Sequence, residues 1–422
     1  MNNLILKGTI CYSASPTELV VRENAYAVCV NGVSQGVFEE IPAEFAHLPV
    51  LDYGDRLIVP GLVDLHIHAP QYTFRGTGMD LELMDWLQQQ AFPEEARFES
   101  REYAEKAYSI FAQQLKNSAT TRAVVFGTRH GASTEILMEK LEETGIVSYV
   151  GKVNMDQNAP KPLVEESAEA SEADTLAWLE RAAHRFERTM PILTPRFIPS
   201  CSRTLLEKLA KIRQEKKLPV QSHLSENPGE IAFVKELFPE EPTYGHCYAR
   251  YGLLGADTVM AHCVYSSAEE MALLKQQGTF IAHCPASNTN LSSGIAPVRR
   301  YLENDLRVGL GSDVAGGHTE SMFRAIADAI QVSKLYWRLV DASCKPLCFA
   351  ECFYLATLGG GRFFGKVGSF APGYEFDALV LDESAMPHWS DLNPKQRLER
   401  FAYLEKGENS LQAKFVRGRQ IR

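Results

Sequence analysis

The chain has 422 residues, 45% of them apolar and 23% charged, with a formal net charge of −10. That length can bury a large core in one large domain or two to three smaller ones. The acidic balance excludes a nucleic-acid backbone as the main partner, because phosphate tracking needs a basic stripe, and the longest basic cluster is "RQEKK" at 213–217, read as a solvated helix end.

A neutral or cationic small molecule is the expected partner. No run of about 18 apolar residues predicts a membrane span, and the opening "MNNLILKGTI" has no long apolar segment of the secretory type. The nine cysteines are odd in number and scattered, which predicts free thiols in a reducing cytoplasm.

In chain order, "NLILKGTICY" and "AYAVCVNGVSQGVFEE" predict short strands, with Asn31-Gly32 as a hairpin turn. "RLIVPGLVDLHIH" leads through Pro60-Gly61 into a more hydrophobic strand, and from there strands and helices alternate. Strand-like runs follow at "TRAVVFG", "IVSYVGKVNM", "MPILTPRFIP", "LPVQSHLSE", "DTVMAHC", "GTFIAHCP" and "LRVGLGSD". Helical patterns lie between them at "REYAEKAYSIFAQQLKNS", "ADTLAWLERAAHRFERT", "SRTLLEKLAKIRQEKK" and "SAEEMALLKQQG". Counting "GLVDLHIH", eight strands alternate with helices, which predicts an α/β fold, a (β/α)8 TIM barrel over 61–369. "APGYEFDALVLDES" and "LQAKFVRGRQI" return to strands. Residues 1–60 and 370–422 are expected to pair into a small β-sandwich domain.

Polar residues gather at the predicted strand ends. His66 and His68 end the first barrel strand, His223 the fifth, His262 the sixth and Asp313 the eighth, with Glu226 three residues beyond His223. Residues two apart share a strand face, so His66 and His68 point the same way. Catalytic groups of this fold come from the C-terminal ends of different strands, which predicts convergence at one mouth. Four imidazoles and a carboxylate form a shell for one divalent ion per chain, Zn2+ with iron as the alternative, and a water in the remaining place. Such a water loses a proton near neutral pH. Asp313 and Glu226 suit the roles of proton acceptor and shuttle, and His262 joins them in the catalytic set.

Any one of these histidines alone reads as a structural residue; the joint pattern carries the metal. His283 reads as structural or as an outer support. His130 and His318 are loop candidates for substrate contact, with solvation the plainer reading, and His47, His184, His246 and His388 are incidental. A carbamylated lysine between two metals finds no lysine in "ILTPRFIP", and Lys152 on the third strand is a weak substitute. No C-x-x-C occurs, which excludes the zinc deaminases built on that motif. Cys344, Cys348 and Cys352 recur every four residues and read as a packing stripe on a helix.

The stretches "PGLVDLHIHAPQY", "LMDWLQQQAFPEEARF", "PRFIPSCS", "HLSEN", "MAHCVYSS", "HCPASN" and "VGLGSDVAGG" occur in this order. Together they resemble the guanine deaminase family of the amidohydrolase superfamily, over about residues 55–380. The resemblance implies a homodimer that hydrolyses guanine to xanthine and ammonia. It implies zinc ligands at His66, His68, His223, His262 and Asp313, a proton shuttle at Glu226, and purine contacts at Gln71, Arg196 and Phe197, with His223, Glu226 and Asp313 also facing the substrate. A planar guanidinium at Arg196 can meet the adjacent acceptors O6 and N7, Gln71 can donate and accept at the amide edge, and Phe197 can stack on the ring. One departure is Cys263, where the family pattern has glycine. Two other readings are a related enzyme acting on an 8-oxopurine, a triazine or an adenosine derivative, and a non-catalytic scaffold.

Overall fold

The computed structural model describes residues 2–387, 391–405 and 410–422; His388 lies outside the described residues. The first four strands are β1 (Leu4–Ser13), β2 (Leu19–Val30), β3 (Val33–Phe38) and β4 (Val50–Pro60). The body follows with β5 (Leu62–His68), β6 (Thr120–Phe126), β7 (Val147–Gly151), β8 (Val153–Asn154), β9 (Thr189–Pro191) and β10 (Thr194–Pro195). It continues through β11 (Val220–Leu224), β12 (Thr258–His262), β13 (Phe280–His283) and β14 (Arg307–Leu310), and the chain ends with β15 (Ala378–Leu381), β16 (Leu411–Val416) and β17 (Arg419–Gln420).

All eight expected body strands form. They pair in parallel as two four-stranded sheets, in the orders β5-β6-β7-β9 and β11-β12-β13-β14. Strands β5, β6, β11, β12 and β13 are buried along their whole length, as parallel strands covered on both faces must be. The third and fourth expected strands each break in two, and the short pieces β8 and β10 pair with each other. Pro191 and Pro195 explain the break in the fourth, since neither can donate to a ladder. The expected helices appear at Arg101–Asn117, Ala168–Ala182, Arg203–Lys216 and Ala268–Gln277, the second starting and ending earlier than the expected 173–189. Each begins at a serine whose side chain accepts an N–H of the first turn.

Both chain ends meet in one hydrogen-bonded seven-stranded sheet, β17-β16-β15-β4-β1-β2-β3, and Val33 of β3 bridges to Glu375 just before β15, so the strands surround a shared core. The reason is that β4 pairs with β1 on one edge and with β15 on the other, leaving no break between the two ends. Asn31 and Gly32 turn the β2–β3 hairpin at φ of 53° and 78°, the doubly left-handed turn that Asn-Gly favours. "LQAKFVRGRQI" is a hairpin rather than one strand, because Arg417 and Gly418 also take positive φ. Along β15 and the buried end of β4, successive side chains enter two different cores. Leu57, Val59, Leu379 and Leu381 enter the large core shared with the body. Ile58, Ala378 and Val380 pack with Phe370, Phe376 and Phe415 in the terminal unit's own core.

Two buried basic side chains tie the terminal sheet to the body. Arg122 on β6 donates from Nε to Asp377 at 2.5 Å and from Nη2 to Asp377 at 2.9 Å and Glu375 at 2.7 Å. Lys414 on β16, its amine pushed down to about 7 by burial, donates to the carbonyls of Leu115, Lys116 and Ser118 at 3.0–3.2 Å at the C-terminal end of a helix. The cysteine stripe does not form as read: the helix begins at Phe349, so only Cys352 lies on it. Asp377→Asn removes the fully buried partner of the Arg122 guanidinium and leaves it only the half-buried Glu375; the variant is expected to be destabilised by up to about 3–5 kcal/mol, read as a lower urea midpoint. Lys7→Ala, which breaks a solvent-facing pair with Asp52, is expected to leave the urea midpoint almost unchanged.

Candidate active site

His66 and His68 stand at the end of β5, His223 on β11 and His262 at the end of β12. Asp313 lies just past β14, and its N–H donates to the His66 carbonyl at 2.8 Å. The strand ends bring all five into one buried cluster. His68 Nε2 lies 3.2 Å from both His66 Nε2 and His223 Nε2. Asp313 Oδ1 lies 3.1 Å from His66 Nε2 and 3.5 Å from His68 Nε2, and its Oδ2 lies 3.7 Å from His262 Nε2. Gly311 permits this approach, because a Cβ there would lie 2.9 Å from His66 Cβ.

The cluster fits a divalent cation. Nε2 of every ring faces its neighbours, and the far nitrogens are held elsewhere: His223 Nδ1 meets the Arg196 carbonyl at 2.6 Å, and His262 Nδ1 meets Asn288 Oδ1 at 2.9 Å. Such outer bonds fix ring orientation in metal sites. Burial, with the neighbouring rings, holds His68 and His223 well below the usual imidazole range, which leaves neutral lone pairs. Burial would raise Asp313, but the surrounding imidazoles outweigh it and keep its carboxylate ionised. Donors packed this closely, all aimed inward, gain a common partner only from a cation. Two sets of three are close enough to share one, His66 with His68 and His223, and His66 with His262 and Asp313.

Backbone strain gathers here. Ser225, His262, Cys263 and Asp313 take positive φ, at 49°, 73°, 51° and 47°, a region disfavoured for residues with a Cβ and common at functional sites. Cys263, where the family pattern has glycine, thus carries a backbone cost of roughly 1–2 kcal/mol that glycine at that φ would avoid.

Glu226 stands beside the cluster, with Oε2 at 3.3 Å from His262 Nε2 and Oε1 accepting from Ser293 Oγ at 3.0 Å. Burial, helped by Glu230 and Asp313, pushes its carboxyl up to about 7. The cavity in front of the cluster is lined by Gln71, Trp86, Arg196, Phe197, Glu226 and Asp313 among others. Every expected site residue except His66 lines this one cavity, and His66 forms the wall behind.

Arg196 and Gln71 do not stand free. Arg196 donates from Nη1 and Nη2 to the two oxygens of buried Glu95, at 2.5 and 3.0 Å, and Gln71 Nε2 donates to Glu95 Oε1 at 2.8 Å. Gln71 Oε1 accepts the Ala315 N–H at 3.1 Å. Glu95 comes from a helical segment over Leu83–Ala96 that widens to a π turn at Leu87–Ala91. The turn lies just before Pro93, which cannot donate a helical hydrogen bond.

The other histidines separate clearly. His283 at the end of β13 is buried, with both ring nitrogens unpaired among the described residues, and does not line the cavity. His130 caps the helix at Gly131–Thr144, and His318 faces a different surface cavity. Lys152 is buried against Glu165, with Asp174 at 3.7 Å, and takes no part in the cluster. Four contributors carry no signal of their own in the sequence. Glu95 and Asn288 lie inside recognised stretches, Ser293 just beyond one, and Phe126 packs against the rings of His66, His68 and His223 at centroid distances of 4.5–4.9 Å.

A model of the Amidohydrolase family matches residues 57–418. A guanine deaminase of Dictyostelium discoideum is 38% identical over 381 residues, covering 88% of this chain and 84% of that protein. A guanine deaminase of Rattus norvegicus is 40% identical over 441 residues, covering 99% and 96%. The crystal structure of guanine deaminase from C. acetobutylicum with guanine bound in its active site superposes with a TM-score of 0.96, at 43% identity and 99% coverage of both chains. A fold, a histidine–aspartate cluster and a sequence shared across nearly the whole length leave one assignment: this chain belongs to the amidohydrolase family, among its guanine deaminases.

Proposed function

We propose that the chain hydrolyses guanine to xanthine and ammonia. The observation that carries this reading is a single cavity whose inner wall is the histidine–aspartate cluster with Glu226 and whose outer wall is Gln71, Arg196 and Phe197. The relatives' activity on guanine supports the substrate. His66, His68, His223, His262 and Asp313 would hold one ion, zinc being the best match to imidazole and carboxylate donors, with iron the alternative. When bound, the ion supplies Lewis acidity that makes a water acidic near neutral pH.

The side chains supply the rest. Asp313, ionised and 3.1 Å from His66, accepts a proton from the attacking water. Glu226, whose carboxyl is pushed up to about 7 by burial, can hold a proton at neutral pH and deliver it to N3 of the base. The emptied Glu226 then takes the remaining hydroxyl proton at C2, and the proton held by Asp313 passes to the 2-amino group, so that the C2–N bond breaks, the amine leaves as ammonia and the C2 carbonyl forms. His262 stays oriented by Asn288 and keeps Glu226 beside the reacting carbon. Gln71 reads the amide edge of the purine, the N–H groups of Arg196 not bound to Glu95 meet O6 and N7, and Phe197 covers the ring face.

The same reading takes 61–369 as one closed (β/α)8 barrel and 1–60 with 370–422 as a second unit. Backbone bonds across both gaps between the four-stranded sheets support closure: Leu193 bridges to Val220 on one side, and His68 N–H donates to the Val314 carbonyl at 3.0 Å on the other. Nine free cysteines accord with a cytoplasmic place, and the family resemblance with a homodimer.

Ammonia release from guanine, adenine, cytosine and adenosine tests the substrate; guanine is expected to react fastest, and faster release from another base would overturn the assignment. Glu226→Gln should lose roughly 10²–10⁴-fold in kcat while its metal content by mass spectrometry stays at the parent level. Asn288→Ala, which frees the His262 ring, is expected to weaken metal retention against a chelator about 10–100-fold.

A further inference from the structure

Glu95 is buried and takes part in none of the steps above, yet it touches both polar side chains that face the base. We propose that Glu95 is a positioning residue that fixes Arg196 and Gln71 and cancels the guanidinium charge, so that the pocket holds a neutral purine and releases a more acidic one. This rests on the guanine reading.

Orientation comes first. An ionised carboxylate only accepts hydrogen bonds, so Gln71 must turn Nε2 toward Glu95 Oε1, at 2.8 Å. The Ala315 N–H only donates, so Oε1 must face it, at 3.1 Å. With both ends of the amide assigned, the flip open to a free glutamine is closed. One N–H and one lone pair remain on that amide for the amide edge of a base. Arg196 is held by the bidentate pair and by packing of its guanidinium 5.0 Å over the Phe92 ring. Its carbonyl holds His223 Nδ1 at 2.6 Å, so a single residue links base recognition to the cluster.

Charge comes second. A lone guanidinium in a buried pocket attracts anions strongly, because the low local dielectric magnifies the interaction. Hydrolysis replaces an amine by a carbonyl and creates an imide N–H, which makes the product more acidic than the substrate. An uncompensated Arg196 would therefore favour the product in its anionic form. The Glu95 carboxylate, 2.5 Å from Nη1, removes that preference.

The test compares Glu95→Gln and Glu95→Asp with the parent, each metal-loaded, with melting temperature and metal content recorded. Glu95→Gln keeps the shape and loses the charge. It is expected to raise the guanine KM roughly 10–100-fold with a much smaller change in kcat, and to strengthen inhibition by xanthine, more so on the alkaline side of neutrality. Glu95→Asp keeps the charge on a shorter arm, so KM should rise while xanthine inhibition stays at the parent level. Parental KM in both variants would overturn the positioning role. Tighter xanthine inhibition in Glu95→Asp as well would overturn the charge role. Should Glu95→Gln fail to fold, Glu95→Asp alone decides the positioning role by the same KM criterion. If the parent does not turn guanine over, the functional reading has failed. Quenching of Trp86 fluorescence by guanine and xanthine then still reports whether Glu95 sets the preference for a neutral base, and equal affinities in parent and variant would overturn it.

Discussion

The buried carboxylate of Asp64 carries the geometry on which the site depends. Its Oδ1 accepts the backbone N–H groups of His66 and Ser312 at 3.1 and 3.0 Å, and its Oδ2 accepts Ser312 Oγ at 2.5 Å. It thus joins the end of the first body strand to the residues after the last, elements 248 positions apart in the chain. Those two ends carry His66, His68 and Asp313. Burial pushes the Asp64 carboxyl up to about 7 even though three donors favour its ionised form, so the clamp comes at a desolvation cost. It reinforces the register already set by the Asp313 N–H to the His66 carbonyl and the His68 N–H to the Val314 carbonyl, at 2.8 and 3.0 Å.

The cluster that results is costly by itself. Four imidazoles and a carboxylate are removed from water, and residues at its rim take backbone conformations that side chains disfavour. Apolar packing from Phe126 and outer hydrogen bonds from Asn288 and the Arg196 carbonyl hold the rings in place. Stability is thus given up locally for an arrangement that a cation can complete, and the large surrounding core makes that tolerable.

Recognition and chemistry share one framework. Arg196 reaches the cavity through its side chain and the cluster through its carbonyl. Glu95 arrives from a different segment, the irregular helix over Leu83–Ala96, which also brings Trp86 to the cavity. A base seated against Gln71 and Arg196 is therefore registered against the cluster by a chain of short, buried contacts rather than by shape alone.

Much of this was legible in the sequence. Uninterrupted apolar runs marked the parallel strands, and the position of each histidine at the end of such a run marked the cluster. "HIHAPQY" with Arg196 and Phe197 then pointed beyond a metal to a purine. Other features could not be read that way. The terminal strands form one sheet because β4 pairs on both edges, a long-range choice that local periodicity does not encode. Glu95, Asn288 and Asp64 look like ordinary polar residues until folding places them beside Arg196, His262 and Ser312. The sequence by itself determined which side chains could bind a cation and where along each strand they sit, because strand periodicity is local. Only the tertiary structure decided which groups are buried together, and so which carboxylate holds Gln71 and Arg196, because burial and pairing depend on contacts between segments far apart in the chain.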